Sequence, residues 1–203
     1  MSRGGVVKLI GLTGGVGMGK STSAALLRER GLPLIDTDEV AREIVEPGQP
    51  ALNEIRQVFG DSVIDPSGRL RRDMLAHIVF ASESRRRELE AIMHPRIRTR
   101  WESEVAAWRE RQEPVGIVVI PLLFEIHAES SFDAVVCVAC SPQTQEARLS
   151  RRGWSPEEAR RRVQAQWPVE KKMSLSQFVV WTEGDLDSHR AQWLKILSTL
   201  GLA

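Results

Sequence analysis

Gly14-Gly15-Val16-Gly17-Met18-Gly19-Lys20-Ser21 fits the pattern G-x-x-x-x-G-K-[ST], a glycine-rich turn between a strand and a helix that wraps a phosphate group. The chemistry needs these residue types. Glycines let successive backbone N–H groups point inward as an anion-binding concavity, and the helix N-terminus adds the positive end of its dipole. The lysine brings a mobile charge to the β- and γ-phosphates, and the hydroxyl after it ligates Mg²⁺. The flanks agree with that mechanism: Val6–Leu12 reads as a short buried strand and Ser21–Arg30 as a helix. Gly15, Val16, Gly17, Met18, Gly19, Lys20, Ser21 and Thr22 are therefore the expected contacts to the nucleotide, with Ser21 the expected metal ligand.

Outward from the loop, short β-branched runs alternate with helical stretches. Leu32–Ile35, Val115–Ile120, Ala134–Val138 and Phe178–Trp181 read as further strands. Continuous apolar runs of this kind, separated by helices, predict an α/β fold whose parallel sheet of about five strands is covered on both faces. The stretch from about 41 to 112 breaks the rhythm. Arg71–Phe80 and Glu83–Arg111 carry apolar residues at helical spacing, and some 70 residues are too many for a simple connection. They predict a helical insertion, with Pro95 kinking the long helix.

Composition narrows the class. The chain has 203 residues, 42% hydrophobic and 27% charged, with 28 Lys+Arg against 27 Asp+Glu. That is an ordinary globular composition with room for a self-sufficient core, and its net charge of +1 argues against a bulk electrostatic nucleic-acid binder. The longest apolar run, Ile117–Phe124, is far shorter than a membrane span, and Val6–Leu12 lacks the features of a signal peptide. The expected location is the cytoplasm. Cys137 and Cys140 form a C-x-x-C pair inside a strand-like run, with no second pair to complete a zinc site, and read as small core residues. The basic runs Arg85–Arg87 and Arg160–Arg162 read as solvated helix faces, and the six tryptophans as packing.

A phosphate loop does not by itself separate kinase, motor ATPase and GTPase. A GTPase needs an Asn-Lys-x-Asp motif, and Asn53 is the only asparagine. Asp65-Pro66-Ser67-Gly68 imitates a switch motif but reads as a turn. The third strand ends Val119-Ile120-Pro121 without a motor's magnesium-binding Asp. A small-molecule kinase remains, in which Asp36 and Asp38, just beyond the second strand, fall at the carboxyl end of the sheet where ligands bind. A phosphoryl acceptor needs a carboxylate for its hydroxyl proton. Spacing alone leaves open whether Asp38 does this or caps a helix starting at Glu39.

GLTGGVGMGKST, IDTDEVAREIVEPG, GRLRRDMLAHIVF, EAIMHPRI, IPLLFE and QEARLSRRG occur in one order from Leu9 to about Gln166. Together they resemble the dephospho-CoA kinase family, which catalyses the last step of coenzyme A synthesis. The resemblance implies a P-loop kinase-type three-layer fold in one domain over 1–203, with a coenzyme-A-binding insertion at about 41–112 and a short helical lid at about 142–175. It implies ATP and Mg²⁺ as donor and metal, dephospho-CoA as the small-molecule partner, and neither nucleic acid nor membrane. It places Asp38 as catalytic base and Asp36 beside it, with Lys20 and Arg148 also acting on the phosphoryl group. Arg148 and Arg152 of the pattern Gln145-x-x-Arg-x-x-x-Arg become nucleotide contacts; the alternative for that helix is surface pairing with Glu146 or Glu158. Thr13, Arg72, His94 and Glu125 join the substrate side, Glu125 either positioning substrate or tying down a loop.

Three positions depart from the family's pattern. Gln177 and Thr182 replace an acid and an asparagine around the last strand, which puts contacts to the nucleotide base in question. Met18 stands where a smaller residue is usual, and is expected to matter little because its backbone N–H still serves. Another small-molecule or nucleotide monophosphate kinase, or a degenerate nucleotide-binding protein of the same fold, are the competing readings. The first leaves the His94-Pro95 and Pro121–Glu125 matches unexplained; the second predicts loss of Asp38 or Lys20, and both are present.

Overall fold

The structure is a computed structural model that describes residues 7–202. Val6, expected to open the first strand, and Ala203 lie outside the described residues. Five strands form one parallel sheet: β1 (Lys8–Gly14), β2 (Leu34–Asp36), β3 (Val115–Val119), β4 (Ala134–Ala139) and β5 (Phe178–Trp181), in the order β2-β3-β1-β4-β5. All six residues of β4 and all five of β3 are buried, which is why these runs are continuously apolar rather than alternating. Ile10, Leu12, Ile117, Val119, Val136 and Val138 belong to a core shared with Ala24 and Leu27 of α1 (Lys20–Glu29) and with Trp193, Ile196 and Leu197 of α9 (Leu186–Thr199). On the opposite face a Cβ added at Gly116 would meet the Trp108 ring at 2.2 Å, and one at Gly11 would meet Leu123 at 2.7 Å. Two glycines in strands thus let bulky side chains lie directly on the sheet.

β1 runs two residues past the expected Leu12, because Thr13 and Gly14 still pair with Cys137 and Val138. Gly14 has φ +144°, and a Cβ there would stand 2.4 Å from the Val138 carbonyl oxygen. The connection from β1 leads through α1 toward β2 on one side, and that from β4 leads to β5 on the other. The carboxyl ends of β1 and β4 therefore flank a topological switch point, the usual ligand crevice of an open parallel sheet.

The last strand is an edge, and Gln192 closes its rim. Its carboxamide donates to the Trp181 carbonyl and accepts from the Trp181 N–H, both at 2.8 Å, leaving less unpaired backbone for another chain to extend. No helix among the described residues is long and apolar enough to cross a membrane.

Residues Thr37–Ala106 form a second compact unit, apart from Met1–Asp36 with Ala107–Ala203. It begins earlier and ends earlier than the 41–112 expected from sequence. It holds α2 (Thr37–Glu43), α3 (Pro50–Phe59), α4 (Arg72–Ala81) and most of α5 (Glu83–Glu110), with its own core of Val45, Leu52, Ile55, Phe59, Val63, Leu75 and Ile92. The end of α5 belongs instead to the first unit, where Trp108 covers β3. α5 continues through Pro95; Thr99 Oγ1 donates to the Pro95 carbonyl at 2.9 Å and the Arg96 guanidinium to that of Ile92 at 2.7 Å. Asp65–Gly68 is a turn, its Asp65 carboxylate accepting from the N–H groups of Ser67 and Arg69. Arg85, Arg86 and Arg87 pair with Glu88, Glu90 and Glu83 along α5. Of the tryptophans, Trp101, Trp108 and Trp193 are core residues, whereas Trp181 is exposed.

Candidate active site

The phosphate loop closes between β1 and α1. Gly17 and Gly19 take positive φ, +76° and +96°, the backbone state that turns N–H groups inward and that glycine alone adopts without strain. The Lys20 ammonium folds back to donate to the Gly14 and Gly15 carbonyls at 2.8 and 3.0 Å, which holds its charge against the loop. Ser21 and Thr22 are exposed in the first turn of α1. The Met18 N–H donates to the Gly15 carbonyl at 3.2 Å as part of the turn. Its side chain is buried, with the sulfur accepting from the Cys140 N–H at 3.2 Å. Met18 is thus a core residue of the loop.

Three neighbours hold the loop from outside. α6 (Pro142–Arg151) lies against Gly17, where an added Cβ would meet Leu149 at 3.1 Å and Gln145 at 3.3 Å. Gln145 Nε2 donates to the Val16 carbonyl at 2.7 Å, and the Val16 N–H donates to Gln166 Oε1 at 2.9 Å. Thr182, beyond β5, packs under Gly19 and donates its hydroxyl to the Met18 carbonyl at 2.9 Å. That hydroxyl also accepts from Arg148 at 2.8 Å, and a second Arg148 nitrogen donates to the Thr182 carbonyl.

The amino end of α6 is pinned in turn. Ser141 caps it, accepting from the Thr144 N–H, and Glu183 accepts from the Ser141 N–H at 2.9 Å and the Thr144 hydroxyl at 2.7 Å. These hydrogen bonds, those from Ser141 first, hold the Glu183 carboxyl down at about 2. Beneath α1, Ser23 Oγ shares a 2.8 Å hydrogen bond with His189 and accepts from the Trp193 indole at 3.0 Å. Burial, followed by the positive charge of Arg148, lowers the His189 pKa and keeps the ring neutral.

Lys172, in α8 (Val169–Leu175), has a fully buried side chain. Its ammonium meets Glu125 Oε1 at 2.7 Å and donates to the Pro121 carbonyl at 2.8 Å. The same Glu125 oxygen accepts from the Trp167 N–H at 2.9 Å. Among the described residues, Glu125 Oε2 is the buried side-chain oxygen that has no hydrogen-bond partner. Burial pushes the nearby Cys137 thiol up to about 12, and raises Cys140 as well, so both cysteines are core groups rather than reactive thiols.

A sequence model of the dephospho-CoA kinase family matches residues 8–188. The chain belongs to that family. A dephospho-CoA kinase of Anaeromyxobacter dehalogenans is 46% identical over 179 residues, covering 88% of this chain and 85% of the relative. A crystal structure of a Thermus thermophilus protein superposes with a TM-score of 0.84 at 34% identity, covering 96% of this chain and 97% of the other. A Campylobacter jejuni dephospho-CoA kinase shares the fold, with a TM-score of 0.69 at 22% identity over 95% and 96% of the two chains. Membership in the dephospho-CoA kinase family makes the protein an ATP-using kinase of the P-loop type, with a small molecule as acceptor.

Against that family pattern the site residues fall in several places. The loop from Gly15 to Thr22, Asp36 at the carboxyl end of β2, Glu125, Arg148 and Arg152 lie in the first unit; Asp38, Arg72 and His94 lie in the second. α2 starts at Thr37, so Asp38 sits inside its first turn instead of capping a helix that begins at Glu39. Arg72 opens α4 and donates to the Arg42 carbonyl at 3.4 Å; His94 is exposed on α5. Thr13 has a fully buried side chain whose hydroxyl donates to the Pro121 carbonyl, which ties β1 to the segment after β3. Glu125 also ties down a segment, through Lys172 and the Trp167 N–H.

Arg152 is the exposed C-cap of α6. Arg148 engages Thr182 and no acidic partner among the described residues, while Glu158 pairs with Arg162. Gln177 and Thr182, two of the three departures from the family pattern, also have internal roles: Gln177 extends the β4–β5 ladder through Val135, and Thr182 joins loop to helix. Gln145, Gln166 and Lys172 went unread in the sequence. Gln145 stood only as a spacing marker, and nothing local distinguishes Gln166 from any other polar residue after a helix. Lys172 carried one signal, a helical position beside apolar Val169 and Met173.

Proposed function

We propose that this protein transfers the γ-phosphoryl group of ATP to the ribose 3′-hydroxyl of dephospho-CoA, giving coenzyme A and ADP. The observation that carries the reading is the family match over residues 8–188 together with an intact phosphate loop at the carboxyl end of β1. In the reaction the 3′-oxygen forms a bond to the γ-phosphorus as the bond to the β–γ bridging oxygen breaks, and ADP leaves with that electron pair. Asp38 takes the hydroxyl proton and Asp36 orients the acceptor. Lys20 and Arg148 balance the charge spread over the transferring oxygens, with the exposed Arg152 as a further guanidinium. Arg72 and His94 bind the coenzyme portion. The compact Thr37–Ala106 unit is the substrate-binding insertion, and the stretch 142–175, which holds α6, α7 (Pro156–Gln164) and α8, is the lid.

The chain fits a magnesium ion of the kind phosphates bring with them. Ser21 offers an exposed hydroxyl beside the loop and Asp36 a half-buried carboxylate at the end of β2, hard oxygen donors suited to an ion that keeps most of its waters. When bound there, Mg²⁺ neutralises charge on the β- and γ-phosphate oxygens. The cytoplasm is the compartment where this substrate and donor meet.

The test is acceptor-dependent ADP release from Mg-ATP, with dephospho-CoA compared against AMP and shikimate. Release with dephospho-CoA alone is the expected result. Equal release with another acceptor, or none with any, contradicts the proposal.

A further inference from the structure

Val16 is held at both of its backbone groups by side chains distant in sequence. Its carbonyl accepts from Gln145 Nε2 at 2.7 Å, and its N–H donates to Gln166 Oε1 at 2.9 Å. The orientation of each carboxamide is chemically required, since a carbonyl partner demands the NH₂ end and an N–H partner the oxygen. Gln145 is fixed because α6 seats on Gly17. Gln166 is fixed because the next residue, Trp167, gives its N–H to Glu125, whose carboxylate is locked by the buried Lys172. The clamp is therefore anchored in the interior at both ends, unlike a contact made by a loose strap.

We propose that Gln145 and Gln166 form a carboxamide clamp that fixes the curvature of the phosphate loop before nucleotide arrives, with Gln166 a positioning residue for phosphate binding that stays on Val16 when nucleotide is bound. The proposal rests on the reading of this loop as a nucleotide-phosphate site. A preformed loop spends less of the binding energy on ordering its amides, so losing the clamp weakens phosphate-dependent binding. A carboxylate at position 166 keeps the acceptor for Val16 but adds a negative charge next to the phosphates. The two losses have different signatures.

The experiment is calorimetric titration of the full chain with Mg-ATP and with adenosine, for wild type, Gln166→Met and Gln166→Glu, with a thermal melt of each. Methionine conserves length and removes the acceptor. Gln166→Met is expected to weaken ATP binding by about 2- to 12-fold, the worth of one net hydrogen bond, with adenosine binding unchanged. Gln166→Glu, still bonded to Val16, is expected to weaken ATP by at least a further ~10-fold, an effect that shrinks as salt is raised. Tighter ATP binding by Gln166→Met overturns the proposal, because Gln166 would then compete with phosphate for the Val16 N–H. Wild-type affinity in Gln166→Glu overturns it too, because Gln166 would have left the loop. Equal losses for ATP and adenosine reduce the residue to a general stabiliser and overturn it as well. If wild type itself fails to bind ATP, the phosphate-loop reading falls and takes the clamp with it. Should Gln166→Met not fold, Gln145→Leu breaks the other half of the clamp and carries the same expectations.

Discussion

Replacing Lys172 by Met tests the interior anchor of the site most sharply. The substitution conserves an unbranched chain and deletes the ammonium. Glu125 Oε1 then keeps only the Trp167 N–H at 2.9 Å, having lost its 2.7 Å partner. Oε2 already lacks a partner, and the Pro121 carbonyl loses its 2.8 Å donor. The Glu125 side chain is only 14% exposed, so water replaces little of this. Breaking a buried pair by removing one member costs about 3–5 kcal/mol. At about 2–4 °C per kcal/mol for a chain of this size, Tm falls by about 6–20 °C. Lys172→Met combined with Glu125→Gln removes the stranded charge while keeping an oxygen for the Trp167 N–H, and is expected to recover at least half of the loss. Calorimetric or circular-dichroism melting of wild type, both single variants and the double variant completes the cycle. A Lys172→Met protein that melts with wild type, or a double variant no better than the single, refutes the view that a buried charge pair holds this region.

Asp38→Asn is expected to lower turnover by about 10²–10⁴-fold, the range for losing a general base, while ATP affinity in a direct titration stays near wild type; normal turnover removes it as base. Lys20→Ala, which deletes charge-assisted contacts to phosphate, is expected to weaken ATP binding by about 10- to 100-fold and to lower turnover with it. Unchanged affinity would sink the phosphate-loop assignment. His189 has a lowered pKa in the folded chain, from burial first and Arg148 second. The unfolded chain therefore binds its proton more readily, so the His189 contribution to stability is complete above about pH 6.5 and is lost as pH falls through the lower folded value. Melting from pH 7.5 to 5 should show Tm falling with acid in wild type and a flatter profile in His189→Gln; parallel profiles contradict this.

The fold was legible where burial on both sides of a strand writes itself as an uninterrupted apolar run, as in Val115–Val119 and Ala134–Ala139. The phosphate loop was legible because its chemistry tolerates few residue types. Boundaries set by tertiary contact were not. β1 extends to Gly14 because Val138 lies beside it, and α2 begins at Thr37 immediately after β2. The outer supports of the loop were hidden for the same reason. Gln166, Thr182 and Lys172 act through partners more than 50 positions away in the chain or across a sheet, and a polar residue gives no periodic signal of such a partner.

In the proposed reaction the phosphoryl group lands on the 3′-oxygen of dephospho-CoA. The most direct measurement is to incubate the full chain with Mg-ATP and dephospho-CoA, isolate the acceptor, and establish its mass and the position of the new phosphate by phosphorus–proton correlation. One added phosphoryl group, on the ribose 3′-oxygen and formed in step with ADP, is the expected result. An unaltered acceptor with ATP intact, or a phosphate found at another position, contradicts it.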